Sequence, residues 1–304
     1  MAIDRRTFVA ATAAGLAISA APRTMAKTIK APPGPFPADF IWGAATAGHQ
    51  VEGNNVNADC WLLENIRPTI YSEPSRDAVN SFELWRSDLD LVAQLDRLGF
   101  DEFWVGEHHS TGWEMIASPE MFLASAAMVT NRIKLGTGVV SLPYHHPFNV
   151  AQRMVQLDHI SQGRAMFGTG PGALPSDARM LNIDPMTQRD RQDEALGVII
   201  RLMRGERFSY ESDWFTLNDA GLQILPHQED MPMVTASSLS PSGMTIAGKY
   251  GIGVLSIASN SSEGIQALPT QWQFAEDSAA KHGQTVNRAN WRVMMSWHIA
   301  ETRE

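Results

Sequence analysis

Three adjacent side chains that can exchange protons follow an apolar stretch of the sequence. Glu107, His108 and His109 come directly after residues 100–106, which read FDEFWVG. Imidazole titrates near neutral pH, so a histidine placed here could serve as a general acid or base. Adjacent residues of a strand point in opposite directions, so one imidazole would face a pocket while the other packs. These three are the candidate catalytic residues, and the alternative is that both histidines are structural or face solvent.

A serine-rich segment is the second place where chemistry is expected. Residues 237–243 read SSLSPSG and separate a strand-like run from a helix-like run. Hydroxyl groups and the free N–H groups of a helix N-terminus bind anions, and the phosphate of a cofactor would suit such a site. The alternative is a serine-rich turn with an ordinary helix cap.

Glycines interrupt a β-rich run at residues 135–139, which read LGTGV. A glycine inside a strand often marks the close approach of a ligand or of another backbone. The flat ring of a cofactor could lie here, and tight helix–sheet packing is the alternative. Residues 168–172 (GTGPG) come near a dinucleotide fingerprint, but Pro171 and the lack of an acidic residue after the next strand argue against one.

The composition argues against several classes of function. A formal net charge of −9 without a run of Lys or Arg argues against nucleic-acid binding. A single cysteine, Cys60, excludes an internal disulfide framework and a multi-cysteine metal site. A usual metal site needs three or four ligands, so we predict no metal. Residues 144–147 (YHHP) are interpreted as structural support for the site.

The motifs lie at the ends of runs that alternate between strand and helix character. The expected strands are 40–45, 100–106, 132–142, 164–168, 231–236, 252–257 and 291–299, and the expected helices are 78–98, 118–130, 147–160, 190–204 and 242–250. This alternation predicts an α/β protein with a parallel sheet and right-handed crossovers. The polar motifs follow the strands, and the carboxyl ends of parallel strands form the active edge in such folds.

The first 26 residues have the pattern of a secretory leader. Two arginines, Arg5 and Arg6, precede an Ala-rich apolar run at residues 8–21, which is too short to cross a membrane. The twin arginine predicts a twin-arginine signal peptide over 1–26 and a periplasmic or secreted protein, or a cytoplasmic one if the leader is a fusion artefact. A frayed apolar N-terminus is the alternative. Residues 27–36 are predicted to be a proline-rich linker.

Five segments of the later part of the chain carry a family signal: 98–109 (LGFDEFWVGEHH), 135–140 (LGTGVV), 145–147 (HHP), 157–164 (LDHISQGR) and 168–170 (GTG). Together they resemble the bacterial luciferase-like flavin-dependent monooxygenases, in particular their limonene-monooxygenase-like branch. The resemblance spans about residues 95–304. It implies a TIM-type (β/α)8 barrel that uses reduced FMN and O2 to oxidise a small apolar organic substrate, with the reduced flavin supplied by a separate NAD(P)H-dependent flavin reductase.

The same resemblance implies roles for individual residues. Glu107, His108 and His109 would lie near the centre where flavin and oxygen react. The implied cofactor-binding residues are Thr137, Gly138, Gly168, Gly170, Ser237, Ser238, Ser242 and Gly243. A deazaflavin in place of FMN, the identity of the substrate and the oligomeric state stay open, with a homodimer as the default for a soluble enzyme.

The N-terminal part resembles a different family. Residues 36–53 are similar to the first strand of family 1 β-glucosidases, so about residues 1–94 are interpreted as the leader and first βα unit of such an enzyme. Retaining glycosidases need two carboxylates about 5 Å apart, and neither of the family's motifs, Asn-Glu-Pro and Glu-Asn-Gly, occurs. We therefore expect one chimeric barrel over residues 37–304, in which 37–94 are glucosidase-like and 95–304 are monooxygenase-like. We also expect this barrel to be incomplete at its C-terminus. The alternatives are a glycoside hydrolase fragment and an inactive barrel that binds flavin.

Overall fold

The computed structural model of the 304-residue chain describes residues 43–45, 85–110, 116–257 and 262–295. The predicted leader (1–26), the linker (27–36) and most of the glucosidase-like unit lie outside these residues. Within them, no helix has both the length and the apolar character that crossing a bilayer requires.

Ten strands are described. They are β1 (Gly43–Ala45), β2 (Glu102–Val105), β3 (Lys134–Thr137), β4 (Val140–Ser141), β5 (Ala165–Gly170), β6 (Phe208–Glu211), β7 (Thr216–Ala220), β8 (Met233–Ser237), β9 (Gly253–Ser256) and β10 (Trp291–Val293). The main sheet has the order β1-β2-β3-β5-β8-β9-β10, with β4 beside β5. Every pairing in it is parallel, as the sequence predicted, whereas β6 and β7 form a separate antiparallel pair.

Helices occupy most of the crossovers between these strands. They are α1 (Trp85–Leu98), α2 (Pro119–Val129), α3 (Pro147–Ser161), α4 (Pro175–Met180), α5 (Gln188–Met203), α6 (Ser242–Tyr250) and α7 (Ser262–His282). Helices α2 and α3 both begin with a proline, which fits the first helical position because its missing N–H has no partner there. The sequence did not predict α4, α7 or the β6–β7 pair. The single strand expected over 132–142 is divided into β3 and β4, and between them Gly138 donates its N–H to the carbonyl of Val105 on β2.

The sheet curls, as ion pairing across it shows. Arg292 on β10 donates to both carboxylate oxygens of Glu102 on β2, at 2.7 and 3.0 Å. Four strands lie between β2 and β10, so β2 and β10 would be about 24 Å apart in a flat sheet. The curled parallel sheet agrees with the barrel-type α/β fold that the sequence predicted.

Apolar residues cover both faces of this sheet. The larger core lies between sheet and helices and includes Leu123, Leu135 and Phe167. A smaller cluster joins Trp104 and Leu255 to two further buried residues, Met166 and Val234. A Cβ on Gly136 would come within 2.4 Å of the Trp104 ring, so this glycine is needed for Trp104 to lie over β3.

The segment at residues 157–164, which marked the family resemblance, has a structural role. Asp158 is fully buried and accepts hydrogen bonds from the backbone and side-chain amides of Gln228 at 2.9 and 2.7 Å. Arg164 donates to the carbonyls of Ala127 and Ile133, both at 3.0 Å. These bonds join the end of α3 to its neighbours and thereby fix where β5 begins.

Candidate functional site

Glu107 is the centre of a hydrogen-bonded cluster at the carboxyl end of β2. One of its oxygens, Oε1, lies 2.7 Å from Nε2 of His109 and 2.6 Å from Nε2 of His145. The other, Oε2, accepts the backbone N–H of Ser141 at 2.8 Å. The carboxylate is fully buried, so these bonds replace its contacts with water and join the loop after β2 to residues 140–145.

These contacts shift the protonation of the cluster. Burial alone would raise the pKa of Glu107, but the hydrogen bonds from His109, His145 and Ser141 and the charge of His145 lower it to about 2. The hydrogen bond to Glu107 raises the pKa of His109 against the opposing effect of burial. The carboxylate is therefore ionised at ordinary pH, and His109 holds its second proton to a higher pH than a free imidazole.

Glu107, His109 and His145 also form a set of three potential metal ligands. The separations of 2.6 and 2.7 Å are those of hydrogen bonds. Around a tetrahedral zinc ion, with bonds of about 2.0–2.1 Å, ligand atoms stand roughly 3.3 Å apart. Each imidazole can donate one N–H to the carboxylate, so hydrogen bonds alone can satisfy this set, and the absence of a metal stays a prediction.

His108 is held by a different carboxylate, that of Asp177 on α4. Nδ1 of His108 lies 3.2 Å from Oδ2 of Asp177, and Oδ1 of Asp177 accepts the backbone N–H of His109 at 3.2 Å. The hydroxyl of Ser110 also donates to Oδ1. The side chains of His108 and His109 are 14% and 20% exposed, so neither faces open solvent. The two imidazoles thus have separate partners, as expected if neighbouring residues point in different directions.

Sequence reasoning missed Asp177 as the partner of His108 and His145 as a partner of Glu107. The signal for Asp177 was an acidic residue close behind the glycine-rich end of β5, in a segment that was not assigned to a helix. His145 was identified only as structural support, and its contact with Glu107 depends on the path of the chain after β4.

Tyr144 forms one wall beside His109. Its ring meets the His109 ring edge-on at 5.8 Å, and its hydroxyl accepts a 2.8 Å hydrogen bond from Gln188 on α5. Burial, together with the nearby charges of Asp177 and Glu107, raises the pKa of Tyr144 to about 12, so the phenol keeps its proton. A Cβ on Gly172 would lie 2.2 Å from the Tyr144 hydroxyl, which explains a glycine at this position.

The predicted cofactor-binding glycines lie together where β3 and β5 meet. The Thr137 hydroxyl is buried and bridges to Gly168, bonding to its N–H and its carbonyl at 2.9 Å each. A Cβ on Gly168 would lie 1.9 Å from the Thr137 carbonyl oxygen. A Cβ on Gly170 would lie 2.6 Å from the Val139 side chain. At Gly138 the nearest neighbour would be the Cβ of Trp104, at 3.2 Å. Packing within the chain thus accounts for these glycines, and their contact with a cofactor stays a prediction.

The serine-rich segment connects β8 to α6. Ser237 is 2% exposed, and within the described part of the chain its hydroxyl has no hydrogen-bond partner. A Cβ on Gly243 would lie 2.2 Å from the Ala236 carbonyl, so the first turn of α6 packs directly on the end of β8. Ser242 shares a 2.8 Å hydrogen bond with Ser240, and the carbonyl of Ser238 accepts from Gln271 at 2.6 Å.

A buried hydroxyl without a partner beside a helix N-terminus is the arrangement expected for an anion site. The residues present therefore fit the phosphate of a flavin nucleotide. Glu107 follows β2, Gly170 ends β5 and Ser237 ends β8, so the imidazole cluster, the glycines and the serines all lie at the carboxyl edge of one parallel sheet.

Comparisons with known proteins identify the family that the chain resembles. The family model described as luciferase-like monooxygenase matches residues 61–304. The chain is 56% identical over 217 residues to limonene 1,2-monooxygenase of Rhodococcus erythropolis, covering 71% of this chain and 56% of that protein. It is 52% identical over 225 residues to 4-hydroxyprotoasukamycin monooxygenase of Streptomyces nodosus, covering 73% and 60%. The oxygenase component of a flavin-dependent trigonelline monooxygenase from Acinetobacter baylyi is 24% identical, with 77% and 65% covered.

Solved structures show the same fold. The oxygenating constituent of 3,6-diketocamphane monooxygenase from Pseudomonas putida, solved in complex with FMN, has a TM-score of 0.62 at 25% identity over 70% of this chain and 62% of that one. The coenzyme F420-dependent tetrahydromethanopterin reductase of Methanopyrus kandleri has a TM-score of 0.54 at 25% identity, with 70% and 61% covered.

The family match extends further toward the N-terminus than the resemblance seen in the sequence. The chain was expected to resemble monooxygenases from about residue 95, but the family match begins at residue 61 and takes in much of the unit interpreted as glucosidase-like. The comparisons give no support to a glycosidase segment. The chain spans 56–60% of the length of the two relatives that exceed 50% identity. By the extent of the family match and by its fold, the chain belongs to the luciferase-like monooxygenases.

Proposed function

We propose that this chain is a flavin-dependent monooxygenase that uses reduced FMN and O2 to oxidise a small apolar organic molecule. The observation that carries the proposal is that a buried, unpartnered Ser237 hydroxyl lies at the same sheet edge as the imidazole–carboxylate cluster. The Ser237 hydroxyl suits a cofactor phosphate, and the imidazole–carboxylate cluster suits proton transfer beside the cofactor.

The cofactor would be held by the serine segment, with Ser237 and the first turn of α6 around the phosphate and the β3–β5 glycines nearer the ring. Bound reduced FMN would supply the electrons that activate O2. Related barrels use either FMN or F420. We propose FMN because the two relatives above 50% identity are both named as monooxygenases, whereas the F420-dependent relative is named as a reductase.

The protein's own groups would control protons and exclude water. Glu107 stays ionised and holds His109 in place, while His108, bound through Nδ1 to Asp177, is the candidate proton donor or acceptor. The smaller apolar cluster around Trp104 and Leu255 gives one sheet face a water-poor surface. Such a surface suits an apolar substrate, because burying apolar area is favourable in proportion to that area.

A separate flavin reductase is the proposed partner. The chain carries no dinucleotide fingerprint, since Pro171 interrupts its nearest candidate. The names of two relatives, "oxygenase component" and "oxygenating constituent", describe proteins that form one part of a larger system. Reduction of the flavin by a nicotinamide would then take place on another protein.

The test is to supply the purified chain with limonene, FMN, NADH, a flavin reductase and isotopically labelled O2. We expect a product that contains one labelled oxygen atom. Ser237→Ala should weaken binding of reduced FMN by about 10- to 100-fold, the cost of one hydrogen bond to a charged group. The matched control is Ser125→Ala, which removes an exposed hydroxyl on α2 and should leave binding unchanged. A folded sample that binds no flavin, or that binds it without incorporating oxygen, would contradict the proposal.

We also propose that residues 1–26 direct export. Replacing Arg5 and Arg6 by lysine should retain the protein in the cytoplasm, because the twin-arginine route requires both arginines. Cell fractionation measures this, and a protein equally exported without the pair would rule out this route.

A further inference from the structure

We propose that Asp177 is the positioning residue for His108, holding the imidazole in the form that carries its proton on Nδ1. This inference rests on the proposed function, because it concerns the histidine that would exchange a proton beside the cofactor. Asp177 lies 69 residues after His108 and belongs to α4, in the crossover after β5.

The contacts of Asp177 are directed at one short loop. In the part of the chain that the structure describes, the hydrogen bonds to its carboxylate come from residues 108–110: the ring of His108, the backbone of His109 and the hydroxyl of Ser110. Ser110 also contacts the hydroxyl of Ser176 at 2.7 Å. The Asp177 side chain is 1% exposed, so water competes little for these bonds.

The chemistry of the pair fixes the tautomer. An ionised carboxylate only accepts hydrogen bonds, so Nδ1 of a neutral His108 must carry the hydrogen and Nε2 then has the lone pair. Glu107 fixes the tautomer of His109 in the same way, but it accepts the hydrogen from Nε2 of that ring. The two carboxylates therefore leave opposite ring nitrogens of the two neutral imidazoles with the lone pair.

Asp177→Asn is a sharp test because the amide has one acceptor and one donor. The oxygen should remain at the Oδ1 position, where it accepts from the His109 backbone and Ser110, and this leaves the NH2 group facing Nδ1 of His108. Nδ1 can then only accept, so the hydrogen should move to Nε2. The substitution thus inverts the tautomer without changing the shape of the side chain.

The experiment measures the ring nitrogens of His108 by 15N NMR on histidine-labelled full-length chain, with the signals assigned by their loss in His108→Gln. We expect a protonated Nδ1 in the wild type and a protonated Nε2 in Asp177→Asn. The matched control is Asp158→Asn, a substitution of another fully buried carboxylate that should lower the melting temperature and leave the His108 tautomer unchanged.

Turnover supplies a second readout. Asp177→Asn should lower kcat for substrate oxidation by about 100-fold, within the range of general acid–base effects, with KM within about 2-fold of the wild type. An unchanged tautomer in Asp177→Asn overturns the inference, as does a wild-type ring protonated on Nε2. If the wild type shows no monooxygenase activity, the proposed function fails, while the NMR result still decides the role of Asp177.

Discussion

At the scale of single residues, the site depends on a few buried carboxylates and the hydrogen bonds they accept. Glu107 is fully buried, yet its pKa lies well below its usual value, because two imidazoles and a backbone N–H bind its ionised form. A buried carboxylate without such partners would take up a proton instead. The charge of Glu107 is thus a product of its surroundings, and it keeps His109 and His145 in place.

This pKa shift predicts a dependence of stability on pH. The folded-state pKa of Glu107 is depressed from 4.5 to about 2. Its contribution to the free energy of unfolding is therefore present above pH 4.5 and is lost as the pH falls toward 2. The contribution is about 3 kcal/mol, and Glu107→Gln should lower the free energy of unfolding by a similar amount at pH 7. The difference between wild type and variant should shrink toward pH 2, as measured by urea denaturation across this pH range.

Glu206→Gln is the control for this prediction, because Glu206 is 45% exposed and pairs with Arg201 at the surface. It should change the free energy of unfolding by less than about 1 kcal/mol. A difference between wild type and Glu107→Gln that stays constant from pH 7 to 2 would show that the carboxylate is not bound in its ionised form. The raised pKa of His109 acts in the opposite sense. The contribution of His109 to the free energy of unfolding is present below pH 6.5 and is lost as the pH rises through its folded-state pKa.

At the scale of elements, the ends of helices fix where strands begin and therefore where the site residues lie. Helix α3 ends in two consecutive left-handed residues, Gln162 and Gly163, and β5 starts two residues later. Gly163 has a φ of +79° and lies against His227. This turn directs the chain into β5, which pairs with β3 in parallel. In that pairing, Gly168 lies within hydrogen-bond distance of the Thr137 hydroxyl.

Gly163→Ala should therefore destabilise the protein for two reasons. A side chain is strained at positive φ, and its Cβ would also lie 3.0 Å from the His227 ring. We expect a loss of about 2 kcal/mol, read from urea denaturation. Gly283 separates the two causes, because its φ is +65° and nothing lies within 4 Å of its Cβ position. Gly283→Ala should cost about 1 kcal/mol, and an equal cost at both positions would show that the contact with His227 is unimportant.

At the scale of the whole described sheet, the curl brings distant strands together through Glu102 and Arg292. The Glu102 side chain is 4% exposed and that of Arg292 17%, and Glu102 also accepts from Trp104 at 3.0 Å. Arg292 lies 5.8 Å from the centre of the Trp104 ring. The pair therefore joins β2 to β10 and holds Trp104 in the apolar cluster.

Removing one partner of this pair should be costly. Arg292→Met leaves the Glu102 charge buried without its cation, which we expect to cost about 3–5 kcal/mol. The double variant Glu102→Leu with Arg292→Met should recover most of that loss, since it removes both charges. A double-mutant cycle measures the coupling, with the exposed pair Arg201–Glu206 as the control, expected below about 1 kcal/mol. A coupling for Glu102–Arg292 as small as the control's would contradict its role in joining the two strands.

Much of the fold was predictable because its signals are local. Proline and serine marked the start of α2, and glycines marked the ends of α1, α3 and α5, so these boundaries agree with the structure to within one residue. The short α4 and the β6–β7 pair were missed because neither has a long periodic pattern. The division of β3 from β4 was also missed, because the run at residues 132–142 shows no break in its β character.

By itself, the sequence determined the alternation of strands and helices, and hence a parallel sheet whose carboxyl edge carries Glu107, His108, His109 and the serines. Periodicity and helix caps act over a few residues, so they can be recognised in one chain. Only the tertiary structure decided which carboxylate holds which imidazole, since Asp177 and His145 lie 69 and 38 residues from their partners His108 and Glu107. Such pairings depend on strand register and on the curl of the sheet, which arise only when the whole chain packs.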